Sequence, residues 1–427
     1  GDVEISPETL EALGVTLPPD FLSGSGRADF VLDLEWGAPP SLQLVSDLKG
    51  LVLSIPQLSW RKSENALGQL EVTARLEEIP VVDRISLNAP GLSATGNLTL
   101  NADRQMERLR VDRFQLGNWF SGAVDLVGRG TGRPVGVVLR GGELDMRRAQ
   151  FGRSSGGPAA PLTVRLDRLQ VSDTIAITAM SGQFTTGGSL SGNFEGAVNG
   201  AARVTGALIP QGERSAIRIT SEDAGSVFAS SGLTKQTRGG DLQLVLDPVG
   251  VDGAFDGSLL VRDARIKDAP AIAALLNSLS IVGLISELSG DGIYFSEIKA
   301  DFRLSPDQIT LRDASAVGPS MGLSMDGVFV PDSGKIEMQG VISPVYLLNA
   351  VGSLLTREGE GLFGFNYSIT GTAEDPEVFV NPLTALAPAM FRNLFRRAAP
   401  EVPLAEGETP PPPAPPKPSL EERREQR

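Results

Sequence analysis

Apolar and polar residues alternate in short runs along most of this chain, and turn-forming residues cut the runs apart. In Arg27–Trp36 the side chains of Ala28, Phe30, Leu32, Leu34 and Trp36 face one way. Arg27, Asp29, Asp33 and Glu35 face the other, with Val31 as the exception. A period of two is the signature of a strand with one wet and one apolar face. The pattern returns at Leu98 and Leu100, at Leu162, Val164 and Leu166, and at Ile175 and Ile177. It returns again at Leu242, Leu244 and Leu246, at Ile298, Ala300, Phe302 and Leu304, and at Phe363, Phe365, Tyr367 and Ile369. Clusters such as Asn88-Ala89-Pro90-Gly91, Thr186-Gly187-Gly188-Ser189 and Asp332-Ser333-Gly334 separate the runs. No fixed repeat period stands out.

The chain has 427 residues, too many for one ordinary core, so it holds several domains or one elongated sheet. Aromatics make up only 5 %, which is lean for compact cores. The alternating faces admit two readings. In a closed sandwich each apolar face packs on another sheet. In a curled sheet the inner face stays open as an apolar groove.

Three helical segments interrupt the pattern, mostly in the last third. Asp268 to Leu288 has an Asp cap, Pro270 in its first turn, and Ile272, Leu275, Leu276, Leu279, Val282, Ile285 and Leu288 at helical spacing. Its uncharged stretch of about 18 residues is at the lower limit for a membrane span and is diluted by Ser, Asn and Gly. It reads better as a helix packed on or into the sheet. A second helix is expected over 343–356, opened by Ser343-Pro344, and a third over 383–397. A short helix is also expected over 6–13. The stretch 398–427, with Pro410 to Pro413, Pro415, Pro416 and Pro418, reads as a disordered tail.

The composition also narrows the chemistry. Histidine and cysteine are both absent. No imidazole can act as a base or bind zinc, and no thiolate can attack a substrate. The expectation is a non-enzymatic protein with no cofactor and no metal site. A net charge of −14 disfavours nucleic acid. Gly359-Glu360-Gly361-Leu362-Phe363-Gly364 matches G-x-G-x-x-G, but it follows a helical pattern and leads into a strand, the reverse of a dinucleotide site. The 52 carboxylates offer no pair that stands out for hydrolysis. The cluster Phe391, Arg392, Phe395, Arg396 and Arg397 fits either a membrane or partner contact, or a helix closing the end of the sheet.

In the last third, Arg265-Ile266-Lys267-Asp268-Ala269-Pro270, the run Leu275 to Leu288 and Ser289-Gly290-Asp291-Gly292-Ile293-Tyr294-Phe295 resemble the C-terminal region of AsmA-like envelope proteins of the YhdP type. So do Val317-Gly318-Pro319-Ser320-Met321-Gly322-Leu323, the 359–364 glycine stretch, Tyr367 to Thr372, Asp375-Pro376 and Val380 through Phe395. The resemblance covers about residues 255–397 in motif and 1–254 by pattern alone. It implies a periplasmic protein, held to the inner membrane through an N-terminal anchor absent from this chain. It also implies phospholipid movement between inner and outer membranes to maintain the outer-membrane barrier, with an envelope protein as a partner at the C-terminus. The Pro-rich tail departs from the pattern.

The resulting expectation is a mainly β protein: an elongated, curled antiparallel sheet forming an open apolar groove, with short amphipathic helices near the C-terminus. Residues 1–254 form the groove segment and 255–397 the AsmA-like region. The lipid-facing candidates are Phe30, Leu32, Leu34, Trp36, Leu242, Leu244, Leu246, Phe302 and Leu304. The alternative is an assembly factor that pairs its sheet edges with client outer-membrane polypeptides.

Overall fold

The structure is a computed structural model that describes residues 1–12, 20–151, 158–250, 253–344, 364–372, 374–386, 400–405 and 408. It is 59 % strand and 10 % helix, and a sheet of 23 strands dominates it. Nearly every strand pairs antiparallel with the next one available in sequence. Asp2–Ile5 pairs with Gly26–Asp33, followed by Ser41–Ser46, Gln69–Arg75, Val81–Ala89 and Leu92–Leu100. Met106–Leu116, Phe120–Val127 and Gly136–Asp145 continue the series. Gly136–Asp145 and Ala160–Gln170 then run parallel, so the connection between them carries the chain back to the other margin.

Antiparallel order resumes through Ala176–Thr186, Ser191–Val198, Ala202–Gln211, Arg214–Ser221, Asp241–Val249 and Ala254–Ile266. It ends with Ile293–Leu304, Ile309–Val317, Met321–Val330, Lys335–Pro344, Phe365–Gly371 and Pro376–Asn381. The sheet is not closed. Residues 254 and 255 are consecutive in one strand, and pairing runs through them without a break.

Local chemistry sets the hairpins. Between Ser191–Val198 and Ala202–Gln211 the chain turns at Asn199 and Gly200, both at positive φ (48° and 78°). Asn and Gly are the residues that tolerate this conformation. The Asn199 side chain accepts from the Ala176 N–H at 2.8 Å and donates to the Thr174 and Ser230 carbonyls at 2.7 and 2.6 Å, which ties three loops together.

Every described insertion leaves the sheet at the same strand ends. There lie α1 (Pro7–Ala12), a small sheet of Leu22–Gly24, Leu51–Ile55 and Trp60–Lys62, α2 (Ala224–Ser230), α3 (Pro270–Ser278) and α4 (Val282–Ser289). The buried core follows this margin. Leu51, Leu116, Phe120, Ile177, Val198 and Ala202 form one cluster, α2 covers Leu242, Val261 and Ala264, and α3 and α4 pack on Phe295, Leu323, Ile342 and Tyr367. At about 1.5–3 kcal/mol per buried large side chain, this margin supplies most of the hydrophobic stabilisation.

The helical stretch expected over 268–288 is two helices. Ser280, at φ 55°, breaks it between them. Ser343 and Pro344 are the last two residues of the strand Lys335–Pro344. Proline is accommodated there because a strand's last residue can forgo its N–H. The rest of the 343–356 segment lies outside the described residues. Of 383–397, residues 383–386 belong to the 3-10 turn Pro382–Leu386, and the remainder also falls outside them. Among the described residues, no helix is long and apolar enough to cross a membrane.

A candidate functional site: one continuous apolar face

The registers decide which alternating residues share a face. Starting from Phe30, cross-strand partners run Leu44, Val72, Ile85, Gly96, Val111, Val124 and Leu139. The row passes through the parallel pair to Val164, then Gly182, Phe194, Gly206, Ile219, Leu244 and Leu259. It finishes at Ala300, Ala314, Met325, Gly340, Tyr367 and Val380. Each residue is apolar, aromatic or glycine. The one hydroxyl, that of Tyr367, donates to the Ser324 carbonyl at 2.8 Å.

A second row, two residues along most strands and three where a bulge intervenes at Val82–Ile85 and Leu311–Ala314, behaves the same way. It includes Leu32, Leu98, Leu126, Phe184, Leu246, Gly257, Phe302 and Ile369. At ~4.8 Å between strands, each row is about 100 Å long measured along the sheet.

Glycines make room for the rings on this face. A Cβ on Gly206 would sit 2.2 Å from Phe194 Cζ, and one on Gly257 would sit 2.2 Å from Phe302 Cζ. Each ring thus lies over its cross-strand glycine, as cross-strand pairs allow. Most side chains in the two rows are only half-buried. Among the described residues, covering elements are confined to the insertion margin and to the last strands, where α3 reaches Pro376–Asn381.

Of the residues singled out from sequence, Phe30, Leu244, Leu32, Leu246 and Phe302 fall in these rows. Leu304 lies in a shorter row with Phe255, Ile309 and Phe329. Leu242 shares the face but is 2 % exposed beneath α2. Leu34 and Trp36 lie past the strand's last residue, Asp33, in a turn that leaves the sheet. Phe391, Arg392, Phe395, Arg396 and Arg397 lie outside the described residues. Sequence reasoning missed the glycine–phenylalanine pairs and α2, because only register and tertiary packing reveal them.

The opposite face is polar and cross-linked. Arg140 joins Asp125 (Nε to Oδ1, 2.7 Å) and Asp112 (Nη2 to Oδ1, 2.9 Å). A shallow concavity of about 680 Å³ is lined by Arg165, Gln183, Asn193, Glu195 and Arg218 of this face, and it also touches Val164, Gly182, Phe194 and Gly206 of the first apolar row. Its lining is mixed and local, whereas the apolar rows are unbroken, so the rows are the better candidate for an apolar ligand. Among the described residues, no group of three or more carboxylates is placed to hold a metal ion. Comparison of the chain with protein-family models, with curated proteins and with solved structures found no match.

Proposed function

We propose that the apolar face is the floor of an open groove that binds phospholipid acyl chains and conducts them between two membranes, without catalysis or cofactor. The observation that carries this reading is the pair of uninterrupted apolar rows running the length of the sheet. Each acyl CH₂ moved out of water gains ~0.8 kcal/mol, so a chain of about 16 carbons left bare costs more than ~10 kcal/mol. A floor without a polar break lowers that cost equally at every step, so a chain can slide along it without meeting a barrier. The resemblance to AsmA-like envelope proteins supports the same reading. It adds a periplasmic setting, with inner and outer membranes as the end points.

The test is mass spectrometry of lipids extracted from gently purified protein, beside a Leu244→Asp, Phe302→Asp variant. Phospholipid retained by the parent and lost from a folded variant is the expected result. A parent free of lipid, with its apolar rows protected from solvent, would overturn the groove.

A second reading draws on the last strand. Among the described residues, Pro376–Asn381 registers only with Phe365–Gly371, and it exposes Phe379 at 67 %. An assembly role would use this edge to pair with a client strand. Carboxylates placed at Leu244 and Phe302 leave that activity intact, whereas Val378→Pro abolishes it.

A further inference from the structure

The turn that follows Gly26–Asp33 takes no part in the apolar face, and so does not depend on the lipid reading. Trp36 is fully exposed there (103 %) and Leu34 is 71 % exposed. In the neighbouring turn on the same margin Leu76 is 40 % exposed, and its N–H donates to the carbonyl of Pro40, four residues past Trp36, at 2.8 Å. Large rings are seldom left wholly in water, and an exposed tryptophan flanked by aliphatic side chains is the composition of a binding hot spot.

The surroundings are acidic. Arg75 is engaged by Glu77 and Asp83, at 2.7 and 2.9 Å. Asp33, Glu35 and Glu78 make no ion pair among the described residues. An anionic bilayer is therefore a poor occupant. The complement is an aromatic segment flanked by arginines.

The chain contains such a segment: Phe391-Arg392-Asn393-Leu394-Phe395-Arg396-Arg397. In sequence it follows Pro376–Asn381, the strand at the other end of the sheet. The few residues after Leu386 extend only about 17 Å, against about 100 Å along the sheet. Contact between two copies is the arrangement that fits.

We propose that segment 391–397 of one copy docks on the Leu34–Trp36–Leu76 tip of a second copy, giving head-to-tail association. A contact between two different patches propagates instead of closing into a dimer, so the species formed grow with concentration.

The experiment titrates a fluorescein-labelled peptide of residues 387–399 onto the full chain carrying Phe391→Ser and Phe395→Ser, which removes competition from the chain's own segment. Anisotropy at about 50 and about 500 mM salt reads the binding. Saturable binding is expected, weakened at least ~10-fold by Trp36→Ala, by Glu35→Lys and by the higher salt. Sedimentation velocity of the unmodified chain should show concentration-dependent species that Phe391→Ser, Phe395→Ser removes. Trp36 sits in an exposed turn, and an unchanged thermal melt of Trp36→Ala checks its fold. Absence of peptide binding, or equal affinity for Trp36→Ala, overturns the proposal. So does a blue shift of Trp36 emission in a Trp60→Phe, Trp119→Phe background on phosphatidylethanolamine–phosphatidylglycerol vesicles with no response to the peptide; that result would make the tip a membrane contact.

Discussion

Replacing Arg303 with methionine should free the C-terminal segment while leaving the sheet folded. Arg303 is only 3 % exposed, on the polar face. Its Nε and Nη2 donate to the Asp256 carboxylate at 2.8 and 3.3 Å. Nη1 and Nη2 donate to the Glu408 carboxylate at 2.8 and 3.0 Å, and Nη1 also reaches the Pro403 carbonyl at 3.2 Å. Charge-assisted bonds contribute ~1.5–3 kcal/mol each, but burying three charges offsets much of the sum.

After the substitution, Asp256 keeps Arg312 at 3.1 Å, while Glu408 keeps, among the described residues, the Ala405 N–H at 2.9 Å and the more distant charge of Arg312. The loss therefore falls on the Glu408 side, and we expect about 2–4 kcal/mol. It should appear as local opening of 400–408, faster by roughly 30- to 700-fold at 1.4 kcal/mol per tenfold. Hydrogen exchange read by mass spectrometry at the Ala405 amide measures it, and the urea midpoint of the whole chain should barely move. Arg303→Lys should fall between, because an ammonium cannot make the double fork.

The contact also depends on pH. The Arg303 guanidinium, with the Ala405 N–H, holds the Glu408 carboxyl below its ordinary range. A depressed carboxylate contributes stability that is complete above its unfolded pKa of ~4.3 and is lost as pH falls through the lower folded value. Acid should thus release the segment in the parent, and the dependence should weaken in Arg303→Met, where the Ala405 N–H and the Arg312 charge alone still favour the carboxylate. Unchanged protection of 400–408 in Arg303→Met, or collapse of the sheet at much lower urea, would refute this account.

Three other substitutions probe the scaffold. Asp223 caps α2 by accepting from the Ser226 N–H at 3.0 Å, and Ser226 holds its carboxyl low, so Asp223→Ala should cost ~1 kcal/mol near neutrality. That deficit should shrink as denaturation is repeated at pH falling below ~3.9, where unfolded Asp223 takes up a proton, and should vanish once pH passes the lower value of the folded cap. The Lys62 ammonium is buried and donates to the Leu48, Leu51 and Ser63 carbonyls at 2.7, 2.9 and 3.1 Å. Lys62→Met should loosen the small sheet by about 2–4 kcal/mol, seen as lost exchange protection in 48–63 and red-shifted Trp60 emission. Gly206→Val forces a branched side chain into the Phe194 ring and should cost ~1–3 kcal/mol in a urea titration, most of which Phe194→Ala restores in the double variant.

The period of two in Arg27–Trp36 was enough to place Ala28, Phe30 and Leu32 on one face, because side-chain alternation is a local property of extended backbone. It did not show that the strand stops at Asp33. Leu34 and Trp36 continue the alternation in sequence but not in space, since Gly37 and the two prolines after Ala38 turn the chain away. The joining of Phe30 to Leu44, or of Leu244 to Ala300 through Leu259, is a matter of register, which no single strand encodes. The apolar rows were therefore visible only as fragments. The 268–288 pattern had the spacing of one helix, and Ser278, Ser280 and Gly283 were its only sign of a break. Ser343-Pro344 carried a helix-start signature, yet both residues also pair with Gly322 and Met321 at the end of a strand.

Pairing that follows chain order also shapes how such a protein is made and lengthened. Almost every strand meets a partner within a few tens of residues, so each hairpin can add to a finished edge as it is synthesised, and few contacts wait for distant chain. Cooperativity should resemble that of a stacked repeat, decaying along the sheet, with separate melting units around the α2 and α3–α4 clusters. Adding or deleting a whole hairpin would change the length by about 10 Å and leave every other side chain on its original face. A single strand cannot be removed so simply, because the chain direction would then be wrong for the next one. The parallel step between Gly136–Asp145 and Ala160–Gln170 is the one place where the sheet absorbs an odd strand, at the cost of a crossover.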